Sequence, residues 1–315
     1  MSKHISVVFP GQGSQSQGMT EIFSSVEVNN LGYINPFDFD LLDIINHDEE
    51  KLNKSYYTQP ALVLTSLLYY QRLKNILPNQ PNILAGHSLG EYSALVASNA
   101  IDLHSALKLV YKRGKFMTES QNGSMMAVMG ATLENVLNVC DQINKEENEN
   151  ISAANLNSPN QIVLGGLESS IDIAQVKLKE LGAKRCIKLK VATASHCKLL
   201  NDASKKLENE LNLTEFISPE VDVIQNINAS ISSDIIQIKQ NLVNQLTSPV
   251  QWIDTMKQIN QHQGIIIECG PGKVLSGLAK ANGCENILTM SSETFEDDLR
   301  NMLWKMYLLQ VLLEE

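Results

Sequence analysis

Short apolar runs alternate with longer segments of helical period along this chain, the texture of an α/β protein. Ile5-Ser6-Val7-Val8-Phe9, Ile83-Leu84-Ala85, and the runs 221–227, 264–269 and 287–290 read as buried strands. A helix is expected from Thr58, as N-cap with Pro60 just inside, to about Leu77, with Leu62, Leu64, Leu67, Leu68 and Leu73 on its apolar face. A second runs from Glu91 to Asn99. A third, capped by Asp102, runs to about Glu119 and buries Leu103, Ala106, Leu107, Val110 and Met117. Further helices are expected over 198–211, 235–246, 250–259 and 296–313, the last carrying Leu299, Leu303, Met306, Tyr307 and Leu313. Residues 20–55 are weakly patterned and read as short helices and loops.

From Gly123 the texture changes. A strand at 125–129, a helix at 133–145, two short strands (151–155 and 161–164) about an Asn-Ser-Pro-Asn turn, a helix at 171–181 and a strand at 185–191 give the order β-α-β-β-α-β. That order is ferredoxin-like, and it would form a compact insert. Beyond it the chain returns to α/β texture. The run 145–150 (KEENEN) reads as a solvated helix end.

Composition narrows the function. A chain of 315 residues, 43% hydrophobic and 19% charged, can bury a large core without staples. Its net charge of −10 excludes a general nucleic-acid binder and disfavours anionic membrane surfaces. Cys140, Cys186, Cys197, Cys269 and Cys284 have no CxxC spacing, so no zinc site is expected, and they read as reduced thiols. No run approaches the ~20 apolar residues of a membrane span, and the N-terminus lacks the basic-then-apolar pattern of a signal peptide. A cytoplasmic location is the expectation.

The candidate chemistry centres on Gly86-His87-Ser88-Leu89-Gly90-Glu91, between an apolar strand and a helix. A serine flanked by glycines at such a turn is the pattern of a nucleophile elbow, whose tightness leaves no room for flanking side chains. The helix that follows offers unpaired N–H groups to a developing oxyanion. The bland alternative is a glycine-rich connection with a surface serine. A dinucleotide reading of Pro10-Gly11-Gln12-Gly13-Ser14-Gln15 fails, because the third glycine of the fingerprint falls at Ser16.

Serine needs a base. Of the six histidines, His87 is adjacent to Ser88 and diverges from it, and reads as a support for the turn. His196, among small residues where the chain re-enters the α/β part, is the leading candidate, against His4, His47, His104 and His262. No aspartate stands at a strand end to orient it, which speaks against an ordinary esterase. Arg113 lies one helix beyond Ser88. Facing the serine, its planar fork would select an acyl group with a free carboxylate; facing outward, it is a solvated cation among lysines.

The chain resembles the malonyl-CoA:acyl-carrier-protein transacylases of bacterial fatty-acid synthesis. The resemblance rests on FPGQGSQ at 9–15, YTQPAL at 57–62, GHSLGEYSALVA at 86–97, RGKFM at 113–117, NSPNQIVLGG at 157–166, SHC at 195–197, SPVQW at 248–252 and ECGPGKVL at 268–275. It implies an α/β-hydrolase-like large domain (1–122 and 192–315) with an inserted ferredoxin-like subdomain (123–191). It implies Ser88 as nucleophile and His196 as base, with the backbone carbonyl of Gln245 orienting the histidine in place of an acid. Gln12 and the N–H of Leu89 would form the oxyanion hole, and Arg113 would hold the malonyl carboxylate. The implied partners are malonyl-CoA and acyl carrier protein, with no metal and no cofactor beyond the carrier's phosphopantetheine. The acidic carrier would need a local basic surface. Lys184, Lys188 and Lys190 on one strand face, or Lys112 and Lys115, are the candidates, and a solvated face is the plainer reading of both.

Overall fold

The computed structural model describes residues 4–146, 150–189, 191 and 193–314, with side chains as far as Lys305. The chain opens with β1 (Ile5–Phe9), short helices α1 (Ser25–Asn30), α2 (Leu41–His47) and α3 (Glu49–Leu52), and the long α4 (Ser55–Ile76). β2 (Ile83–Gly86), α5 (Gly90–Ala97) and α6 (Leu103–Thr118) follow. Next come β3 (Ser124–Met129), α7 (Leu133–Glu146), β4 (Ile151–Ser158), β5 (Gln161–Gly166), α8 (Glu168–Glu180) and β6 (Arg185–Lys188). The chain closes with α9 (Asn201–Leu213), β7 (Asp222–Ile224), α10 (Ile235–Gln245), α11 (Trp252–Asn260), β8 (Ile265–Glu268), α12 (Val274–Ala281), β9 (Ile287–Thr289) and α13 (Phe295–Glu314).

Two sheets result. The first is parallel, in the order β7-β2-β1-β8-β9. Its strands read as continuous apolar runs because both faces are covered. Ile5, Val7, Phe9, Leu84, Ile265 and Ile267 enter the larger core on one face, with α4, α5 and α6. Val8, Ile83, Ala85 and Ile266 point to the other face, onto Trp252, Met256 and Leu275. The second sheet is antiparallel, in the order β4-β5-β3-β6, with α7 and α8 packed through Val136, Val139, Ile143, Ile171, Ala174 and Leu178. The fold is α/β-hydrolase-like with a ferredoxin-like subdomain. The two parts are stitched together at β4, where Val250 N–H donates to Ala154 O (2.9 Å) and Leu156 N–H to Val250 O (3.0 Å).

Several expected boundaries move. Thr58 caps nothing: the long helix starts at Ser55, and the Thr58 hydroxyl instead donates back to the carbonyls of Leu52 and Lys54 at the α3–α4 junction. Pro60 therefore lies inside the helix rather than at its first turn. The strands expected at 221–227 and 185–191 shrink to β7 and β6. The Asp102 cap holds, with its carboxylate accepting from Ser105 N–H at 2.9 Å. In the last helix Leu299 is buried and Leu303 half-buried. The side chains of Met306, Tyr307 and Leu313, the core of the KEENEN run and Lys190 lie outside the described residues.

Candidate active site

β1 and β2 are paired neighbours with Phe9 opposite Gly86, so the Pro10–Gln15 loop and the elbow emerge side by side at the carboxyl edge of the sheet. Chain order reverses there, with β2 and β7 to one side of β1 and β8 and β9 to the other, which is where open α/β sheets bind ligands. The elbow is as tight as its sequence demands. A Cβ on Gly86 would sit 1.9 Å from the Gly90 carbonyl carbon, and one on Gly90 would sit 2.0 Å from Phe9 O. Ser88 itself takes a left-handed backbone, φ 52°. A non-glycine residue there costs about 1–3 kcal/mol and persists only when its neighbours hold it.

Asn226, just past β7, does much of the holding. Its side-chain oxygen accepts Ser88 N–H and its amide donates to Gly86 O, both at 2.6 Å. Ser88 O accepts from the Gln245 side-chain amide at 3.1 Å. Ser88 Oγ is thereby aimed at His196 Nε2, 2.8 Å away. His196 Nδ1 donates to the backbone carbonyl of Gln245 at 2.7 Å, which leaves Nε2 as the acceptor. The imidazole is 2% exposed. Burial, and next the Arg113 charge, push it down to about 3 against the pull of the Gln245 carbonyl.

Arg113 faces the serine. It is 1% exposed, and Gly114 beside it lets α6 close onto α4, since a Cβ there would meet Tyr56 Cα at 2.6 Å. Nη2 donates to Ser88 Oγ (3.3 Å) and Gln245 Oε1 (3.0 Å), and Nη1 to Gln59 Oε1 (2.9 Å). Its guanidinium lies 5.6 Å from the Tyr92 ring. A buried arginine so placed presents a positive fork beside the Ser88 hydroxyl.

The remaining expected groups fall nearby. Gln12 side-chain oxygen accepts from Gln59 (3.2 Å) and Ser55 (3.1 Å), so the Pro10–Gln15 loop is tied through Gln59 to Arg113. Among the described residues neither Gln12 N–H nor Leu89 N–H has a protein acceptor. His87 does support the turn: its ring meets Asn157 Oδ1 at 2.8 Å and Trp252 edge-on. Of the lysine candidates, Lys188 pairs with Asp172 (2.6 Å) and Lys112 with Glu210 (2.6 Å). Among the described residues no group of three His, Cys, Asp or Glu side chains could hold a metal ion, and no helix is long and apolar enough to cross a membrane.

Sequence reasoning missed Gln59, Asn157, Asn226 and Glu91 as parts of this network. Gln59 and Asn157 sit inside motifs already singled out. Asn226 follows a three-residue strand in a polar run and carries no local signal.

The chain as a whole matches a known family. The model of the acyl transferase domain aligns with residues 7–294. The chain belongs to the acyl transferase family. A malonyl CoA-acyl carrier protein transacylase of Haemophilus influenzae is 39% identical over 88% of this acyltransferase and 92% of its own length. One of Staphylococcus aureus is 39% identical over 94% and 97%. Among solved structures, FabD of Acinetobacter baumannii superposes with TM-score 0.89 at 36% identity, covering 96% of this chain and 98% of its own. A malonyl-transacylase solved in complex with a type II polyketide acyl carrier protein superposes with TM-score 0.85 at 33% identity, covering 95% and 99%.

Proposed function

We propose that this acyltransferase moves a malonyl group from malonyl-CoA to the pantetheine thiol of acyl carrier protein through a malonyl-Ser88 intermediate, supplying fatty-acid synthesis. One observation carries the reading: Ser88 Oγ lies 2.8 Å from a neutral imidazole and 3.3 Å from a buried guanidinium. The first serves a nucleophile and the second serves a carboxylate attached to it. The names of the relatives point the same way.

His196 Nε2 takes the Ser88 proton as Oγ attacks the malonyl thioester carbonyl. The oxyanion is received by the N–H groups of Leu89 and Gln12, and Arg113 holds the distal carboxylate. Collapse breaks the C–S bond, and His196 returns its proton to the CoA sulfur. The carrier thiol then gives a proton to His196 and attacks the malonyl ester, which regenerates Ser88. The reaction draws on these side chains, the two backbone N–H groups and the two substrates. Residues 1–122 and 192–315 would form the catalytic domain and 123–191 the insert. Five unpaired cysteines fit a reducing compartment, the cytoplasm.

The orienting group also favours transfer over hydrolysis. A neutral carbonyl replaces the carboxylate of a hydrolase triad, and burial, followed by the Arg113 charge, makes His196 a weak base. Such a base assists a thiol, with a free pKa of about 8.5, far better than water at about 16.

The deciding experiment is intact mass after exposure to malonyl-CoA. Wild type should gain one malonyl group and hand it to carrier protein, and Ser88→Ala should gain none. An adduct on Ser88→Ala, or free malonate as the main product, would refute the proposal.

A further inference from the structure

Glu91 is the one carboxylate sealed into this network, 1% exposed in the first turn of α5, and the mechanism above gives it no part. Its Oε2 accepts two hydrogen bonds, from the Asn226 backbone N–H (3.1 Å) and the Gln245 side-chain amide (2.8 Å). Those two residues are the ones that grip Ser88, Asn226 by the amide and Gln245 by the carbonyl. Gln245 also carries the carbonyl that orients His196 and the side-chain oxygen that holds Arg113. A single carboxylate oxygen therefore joins the brace of the nucleophile, the base and the carboxylate-binding arginine.

We propose that Glu91 is a positioning residue, whose Oε2 locks Asn226 and Gln245 together so that Ser88, His196 and Arg113 are held in one register. This rests on the functional reading of the preceding section.

The other oxygen, Oε1, is buried and has no hydrogen-bond partner among the described residues. What the network uses is thus one acceptor at one place, and a glutamine can supply it, with its NH2 group in the position of Oε1. An aspartate keeps the charge but draws the oxygen back by one methylene, out of reach of both donors. Position and charge are separable by these two variants. Burial raises the carboxyl to about 7, against the two hydrogen bonds it accepts and the nearby Arg113 charge.

The experiment compares wild type, Glu91→Gln and Glu91→Asp in malonyl and acetyl transfer to carrier protein, together with amide hydrogen exchange at Ser88. Glu91→Gln should stay within a few-fold of wild type in both. Glu91→Asp should lose on the order of 10²-fold in kcat, as expected when reacting groups shift by about 1 Å. Its malonyl-to-acetyl ratio should fall, because Arg113 is released along with Ser88, and Ser88 amide exchange should accelerate. An active Asp variant beside an inactive Gln variant would overturn the proposal, as would equal losses for both acyl groups at an unchanged ratio. Should Glu91→Asp not fold, Glu91→Met fills the volume without an acceptor and takes its place. If neither folds while Glu91→Gln does, the oxygen serves folding alone and the proposal fails. Wild-type enzyme inactive towards malonyl-CoA would refute the functional reading instead, and Ser88 exchange in the two variants would still decide this one.

Discussion

Replacing Arg113 by alanine tests the selection of the acyl group. The guanidinium is 1% exposed and makes three hydrogen bonds, to Gln59, Gln245 and Ser88, out of five possible N–H donations. A malonyl group on Ser88 would bring its carboxylate against the guanidinium, whose Nε has no partner among the described residues. Hydrogen bonds to a charged group are worth about 1.5–3 kcal/mol each, so a two-bond fork contributes about 3–6 kcal/mol. At about 1.4 kcal/mol per tenfold, Arg113→Ala should lower kcat/KM for malonyl-CoA by about 10²–10⁴. Acetyl-CoA has no carboxylate to lose, so its transfer should change by about tenfold at most and the variant should lose its malonyl preference. The truncation leaves Gln59 Oε1 and Gln245 Oε1 without their donor, which makes melting temperature the necessary control. The assay offers malonyl-CoA and acetyl-CoA in competition and weighs the acylated carrier protein. A folded Arg113→Ala enzyme that still prefers malonyl would remove the arginine from its role.

Other consequences can be checked independently. Because the Arg113 charge helps burial hold His196 at about 3, Arg113→Ala should raise the His196 pKa, seen by NMR titration of its ring protons; an unmoved value would show that the Arg113 charge has no part in setting it. Folded His196 titrates below its unfolded value of 6.5, so its contribution to stability is present above pH 6.5 and lost as pH falls towards 3. Denaturant titrations of His196→Gln should accordingly show less loss of stability across that window than wild type. Gly90→Ala places a Cβ 2.0 Å from Phe9 O, so the elbow must break its contact with β1; soluble expression with normal activity would contradict the packing described. Asp102→Ala removes the cap of α6 and should cost about 1 kcal/mol in unfolding free energy with little effect on kcat, since Arg113 sits three turns further along the helix.

What the chain determines by itself is local. The parallel strands were legible because burial on both faces leaves uninterrupted apolar runs, and the insert because six short elements kept the ferredoxin-like order within one stretch. The elbow was legible because only glycine fits against the neighbouring backbone at 86 and 90, a constraint that writes itself into sequence. Residue spacing alone left His196 among six histidines and Arg113 between two orientations; the family motifs gave each a candidate role before any geometry was known. The tertiary structure decided what spacing could not. Arg113 turns inward because Gly114 lets two helices close. Asn226, Glu91 and Gln245 meet although 19 to 154 positions separate them, through hydrogen bonds with no local signature. A serine held at φ 52° needs partners for both its amide and its carbonyl, and only the packing of β7 and α10 against the elbow brings those partners there.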